Sequence, residues 1–204
     1  MQTELDQVNS ILAFYEEIGF KRQNNPLYPQ DDLNDPLQAV RNCGQALDCS
    51  NWFLDLAILH MYFSGDAWME DTECDVCEEN EVYTDVLQEW SDISQGAFLP
   101  QNITESWESD EGPIKVTFIL NSVKREIEPK WDEDWLDMDV LDQINEIIAG
   151  SGRSFEISTP DQNVMVLCLT PEQKARMIKE RDFPFTERII ERVAAQQPLV
   201  RQVL

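Results

Sequence analysis

Six consecutive apolar residues, Val164-Met165-Val166-Leu167-Cys168-Leu169, restrict the fold more than any other segment of this chain. A strand with one covered face alternates apolar and polar side chains, because successive residues point to opposite sides. A run without a polar position needs cover on both faces. The rest of the sequence must therefore supply two apolar layers.

The first half supplies helices. Thr3 can cap a helix whose apolar residues Leu5, Val8, Leu12, Tyr15 and Ile18 fall on one face, with Gly19 as its stop. Asp35-Pro36 is a cap followed by a first-turn proline, opening a short helix with Leu37, Val40 and Leu47. Asp48 or Ser50 starts a third helix over 52–63, apolar on nearly every side and so suited to a central position. Asn80 caps a fourth, with Val82, Val86, Trp90 and Ile93 as its buried stripe and Gly96 beyond it. Between 97 and 113 periodicity disappears among Pro100, Gly112, Pro113 and several acids, which predicts a linker or a surface loop.

The second half changes period. Ile114, Val116, Phe118 and Leu120 alternate, and Asn121-Ser122 can turn the chain into a partner strand over 123–127. A helix over 134–149 follows, with Leu141, Ile144 and Ile148 on one face and Gly150 after it. Residues 154–158 and 164–169 form a second predicted hairpin around Thr159-Pro160-Asp161. Thr170-Pro171-Glu172-Gln173 combines a cap, a first-turn proline and a capping-box glutamine. A last helix is expected from Thr186, with Ile189, Ile190 and Val193. The predicted class is α+β. An acidic helical subdomain of about four helices (1–96) precedes a linker or loop (97–113). A subdomain (114–204) follows, with a small, mostly antiparallel sheet of two hairpins covered by helices, and the two halves are able to share one core.

Charge is distributed unevenly along this plan. The 204-residue chain carries a formal net charge of −25, yet its 42% hydrophobic content is ample for a core, so wholesale disorder is not expected. Between Arg41 and Lys115 there is no Lys or Arg, while seventeen Asp and Glu fall in that interval. From Glu172 onward, seven Lys and Arg (Lys174, Arg176, Lys179, Arg181, Arg188, Arg192, Arg201) outnumber five acids. Uniform acidification for a salty cytoplasm would not leave that asymmetry. Such a field repels nucleic-acid phosphates and anionic lipid and favours encounter with a basic protein.

The predicted partner-binding residues are Asp66, Glu70, Asp71, Glu73, Asp75, Glu78, Glu79, Glu81, Asp85 and Glu89, with Trp90 or Trp107 as an aromatic anchor. A second acidic cluster surrounds Trp131 and Trp135, where the acids suit a helix N-terminus and Trp135 a staple. Its Asp132, Asp134, Asp137 and Asp139 lack the spacing, mid-loop glycine and terminal glutamate of a calcium loop.

Cys74-Asp75-Val76-Cys77 has the spacing of half a zinc site, with Cys43, Cys49 or His60 as further candidates in space. Redox chemistry fits poorly, because Glu73, Asp75, Glu78 and Glu79 raise a neighbouring thiol's pKa. His60, the single histidine, lies on an apolar helix and reads as a partly buried, satisfied side chain. Hydrolytic triads, phosphate loops and dinucleotide fingerprints are absent from the pattern.

The expectation is a cytoplasmic, non-catalytic protein without a cofactor that occludes a basic protein partner. By class analogy this is the manner of an immunity-type or DNA-mimic inhibitor of a nuclease or nucleic-acid-binding protein. No signal segment is evident, and direct contact with nucleic acid or membrane is not expected. The alternatives are a zinc-dependent enzyme or domain built on Cys74, Cys77 and a carboxylate-lined cleft, and a scaffold whose acidity serves solubility alone.

Overall fold

A computed structural model describes residues 3–42, 51–159 and 163–186. The chain runs α1 (Glu4–Glu17), α2 (Pro36–Asn42), α3 (Asn51–Tyr62), β1 (Ala67–Asp71), α4 (Val82–Ile93), β2 (Gln101–Trp107), β3 (Ile114–Leu120), β4 (Val123–Ile127), α5 (Val140–Ile148), β5 (Ser154–Ser158), β6 (Asn163–Leu169) and α6 (Pro171–Arg181). It is α+β, with six α-helices and two antiparallel three-stranded sheets, ordered β1-β6-β5 and β2-β3-β4, among the described residues. None of those helices is long and apolar enough to cross a membrane.

The apolar run on β6 does what its composition requires. Val164 through Leu169 are all buried, and their side chains divide by parity. Met165, Leu167 and Leu169 join Ala67 of β1 in a core with Ile11, Tyr15, Ile58 and Leu59 of α1 and α3 and Met177 of α6. Val164, Val166 and Cys168 join Trp68 and Phe155 in a second core with Trp90 of α4, Phe118 of β3 and Ile144 of α5. Strand β6 is thus a wall between two cores. At about 1.5–3 kcal/mol for each large apolar side chain fully withdrawn from water, it anchors both.

Local signals set several elements as the sequence implies. Thr3 and Thr170 each accept a backbone N–H, from Asp6 and Gln173, and the side chains of those residues bond back to close capping boxes. Asn121 and Ser122 both have positive φ, 52° and 64°, as a tight hairpin turn between β3 and β4 demands.

The differences are equally informative. The predicted succession of four helices is interrupted by β1, a first-half strand that pairs with β6 from the second half. Residues 101–107 of the stretch expected as linker or loop form β2, paired with β3 across a register shift between Gln101 and Thr104. Asn80 does not cap α4. Glu81 holds that position with φ 47°, and Asn80 Nδ2 instead donates to the Asp75 carbonyl at 2.9 Å. Helix α5 begins at Val140 rather than near 134, because Asp137 folds the preceding residues around its own carboxylate. That carboxylate accepts from Lys130 N at 2.7 Å and from Asp139 N at 3.0 Å. Asp48, Ser50, Cys43, Cys49, the turn at 160–162 and the helix expected around Ile189, Ile190 and Val193 lie outside the described residues.

Candidate functional site

The acidic stretch resolves into groups with different jobs. Asp66 is 4% exposed, accepts Lys21 N at 2.6 Å and Gln95 Nε2 at 2.5 Å, and so ties the α1–α2 loop to the end of α4. It is a structural carboxylate, not a surface for a partner. Trp90 is 0% exposed, edge-on to Trp68 with centroids 5.8 Å apart, and cannot touch anything outside the fold. The expected anchoring role of Trp90 is therefore corrected: its place in the buried stripe of α4 decides.

Trp107 is half-buried, and its indole N–H donates to Glu105 Oε1 at 2.9 Å. The other oxygen of Glu105 accepts from Tyr83 N at 3.0 Å and Thr84 N at 3.3 Å, so a strand β2 carboxylate satisfies the first turn of α4. Glu73, Asp75, Glu78, Glu79 and Glu81 sit exposed on the β1–α4 connection, Asp71 at the end of β1 and Asp85 on α4.

What the structure does bring together is a cleft of about 550 Å3 along β1. Ala67, Trp68, Met69 and Glu70 of β1 line it, with His60 of α3 and Asn25, Pro26 and Leu27 on one side and Glu89, Asp92 and Ile93 of α4 on the other. Glu89 is held in place by Trp68 Nε1, which donates to it at 2.7 Å. Leu27 is 75% exposed. Burial, and then the charge of Glu89, push the Glu70 carboxyl above its usual range. Burial lowers the His60 pKa, which favours its neutral form. No Lys or Arg is among the lining residues.

Of the predicted partner residues, only Glu70 and Glu89 meet here. The sequence does not single out Trp68 or Leu27, offers His60 as a site only in the form of a metal ligand, and holds Asp92 only as part of the general acidic run. The one available signal was Ala67-Trp68-Met69, a short apolar run after Gly65 inside an otherwise acidic segment.

The titration of Glu70 has a measurable consequence. A carboxyl with a raised folded-state pKa binds its proton more readily folded than unfolded. Its contribution to stability therefore falls as pH rises from the ordinary value of 4.5 through the folded one. Glu70→Gln is expected to be slightly more stable than the parent near pH 7.5, by about 0.3 kcal/mol for so exposed a charge. The gap should close as the pH is lowered toward 4.5. Urea midpoints at the two pH values check this.

The cysteines give little chemistry. Cys74 and Cys77 are half-buried free thiols, and no group of three or more His, Cys, Asp or Glu among the described residues is arranged to hold a metal. Burial and the charges of Asp75, Asp71 and Asp134 raise the Cys74 thiol pKa, which suppresses the thiolate. The cations of α6 are largely engaged within the fold. Lys174 meets Glu156 at 2.8 Å, Arg176 bonds Glu17 and Glu180, and Arg181 bonds Asp55.

Comparison with protein-family models, curated protein sequences and solved structures finds no match. The cleft itself must carry the functional argument.

Proposed function

We propose that this is a non-catalytic acidic binding protein that occludes a basic protein partner, such as a nuclease or a nucleic-acid-binding protein. The observation that carries this reading is the cleft along β1, whose lining holds the carboxylates of Glu70, Glu89 and Asp92 and no Lys or Arg. A carboxylate surface on a protein of this net charge normally intersperses Lys among its acids. Here the interval from Arg41 to Lys115 has none. Although Arg181 reaches back to Asp55, no Lys or Arg of the chain lines the cleft, so positive charge for Glu70, Glu89 and Asp92 has to come from outside. The acids on the β1–α4 connection extend the same negative field beyond the cleft and would steer a basic face toward it. Occlusion follows from chemistry: carboxylates paired with phosphate-binding Lys and Arg leave those groups unavailable to a phosphate backbone.

The test is affinity purification of the full chain from native lysate at about 0.05 M salt, with elution at about 0.5 M. Basic, nucleic-acid-binding proteins are expected to be retained at the lower ionic strength and released at the higher. Direct titration of a retained protein should then show its nucleic-acid binding blocked by this chain. Retention indifferent to salt, or a retained set with no basic bias, would sink the reading.

A further inference from the structure

We infer that the free edge of β1 receives an extended, Lys- or Arg-bearing segment of the basic partner as a fourth strand of the β1-β6-β5 sheet. The inference rests on the reading above that the partner is basic, and adds how and where it is held. In that sheet β1 is terminal, pairing only with β6 from Ala67↔Leu167 to Asp71↔Asn163 in unbroken register. The alternate backbone N–H and C=O groups of β1 that point away from β6 make no bond outside the sheet among the described residues. An edge of this kind is a template for another strand unless it is blunted by lysine, proline, a bulge or a covering element. The brevity of β1 and the charges of Glu70 and Asp71 do blunt it, and those charges restrict the strand it can receive to a cationic one. Its sequence, Ala-Trp-Met-Glu-Asp in a regular ladder, has no lysine, proline or bulge.

Nor is the edge covered. The cleft is lined by residues of both faces of β1: Ala67 and Met69 belong to the core under α3, Trp68 to the core under α4. It therefore lies along the strand's rim, with His60 and Leu27 flanking one side and Glu89 and Asp92 the other. A strand added about 4.8 Å from β1 would send successive side chains alternately toward these two walls. Those directed at α4 meet Glu89 and Asp92, next to Glu70, and are matched by Lys or Arg. Those directed at the opposite wall meet the neutral His60 and the exposed Leu27, and are matched by apolar residues. The mode is strand addition, in which main-chain bonds give affinity and alternate side-chain contacts give selectivity. Two copies of this chain would bring two sets of Glu70 and Asp71 onto one short ladder with no cation between them, and that repulsion disfavours self-pairing at the same edge.

The experiment uses the full chain and four blocked octapeptides, read by fluorescence anisotropy at low salt. The first alternates Lys and Val, the second carries four Lys followed by four Val, and the other two are the alternating peptide N-methylated on every second amide in either register. The alternating peptide is expected to bind in a salt-sensitive way and at least about tenfold more tightly than the block isomer. One N-methyl register should lose binding and the other keep it, because only one set of amides faces β1. Glu89→Gln and Asp92→Asn should each weaken the alternating peptide about tenfold, while Asp110→Asn, in the β2–β3 loop, should not. Equal binding by both N-methylated peptides and the block isomer overturns the strand-addition inference and leaves the basic-partner reading standing. So does binding of the block isomer without binding of the alternating peptide. Failure to bind any of these cationic chains removes the basic-partner reading itself. A dimer in sedimentation that is dissociated by the alternating peptide assigns the edge to a second copy and overturns the inference.

Discussion

Asp55→Ala is expected to destabilise the fold by about 3–5 kcal/mol, as loss of one partner from a buried ion pair does. The Asp55 carboxylate is 0% exposed on α3 and gathers three bonds from two other helices. Tyr15 OH of α1 donates at 2.8 Å, and Arg181 Nε and Nη2 of α6 donate at 3.0 and 2.8 Å in a bidentate clamp. Truncation leaves the Arg181 side chain, 16% exposed, without its counter-ion, and the fully buried Tyr15 hydroxyl without an acceptor. Stability of a domain this size is typically about 5–15 kcal/mol, so the loss is a large share of the whole.

Two controls separate the ion pair from simple packing. Asp55→Leu combined with Arg181→Leu and Tyr15→Phe removes every polar partner at once, and is expected to recover most of the lost stability. Arg181→Leu alone, which leaves the carboxylate buried with only the Tyr15 bond, should cost nearly as much as Asp55→Ala. Urea unfolding of the four proteins decides the matter. A loss under about 1 kcal/mol for Asp55→Ala would show the triad to be spectator chemistry.

That triad illustrates what the sequence could and could not disclose. Asp55 is visible as the lone acid on an apolar helix, but its partners lie 40 and 126 residues away, and only the fold names them. Signals that act within a few residues were legible: the Thr170-to-Gln173 capping box, the Asn121-Ser122 turn, and the both-faces burial of 164–169. Strand β1 was not. Its five residues read as a fragment of an acidic stretch, and become a strand because β6 offers a ladder from the other half of the chain. The same non-local pairing creates the cleft, so its walls could not be assembled from spacing. Composition announced the acids, but could not tell Asp66, bonded inside the fold, from Glu89 and Asp92 beside open space.

Trp90 is where the two kinds of information meet, and Trp90→Ala is expected to cost about 3–5 kcal/mol, the range for emptying an aromatic site in a packed core. Its ring stands edge-on to Trp68 at 5.8 Å and tilted against Phe155 at 6.2 Å, so it joins α4 to both β1 and β5. Removing it opens a void that two rigid aromatic neighbours, Trp68 and Phe155, cannot easily refill. The indole nitrogen, however, has no hydrogen-bond partner among the described residues. A buried donor left unmade carries a penalty of about 1–3 kcal/mol, and phenylalanine lacks that donor. Trp90→Phe therefore loses ring volume but relieves the orphaned N–H, and its net cost should be within about 1 kcal/mol. The pair of variants also tests the site. Because Trp90 does not reach the surface, Trp90→Phe should leave affinity for a basic peptide unchanged, while Glu89→Gln should weaken it with little loss of stability. Urea midpoints alongside peptide anisotropy give both readings from the same samples. A Trp90→Phe protein that unfolds like the parent but no longer binds would return this tryptophan to the interface.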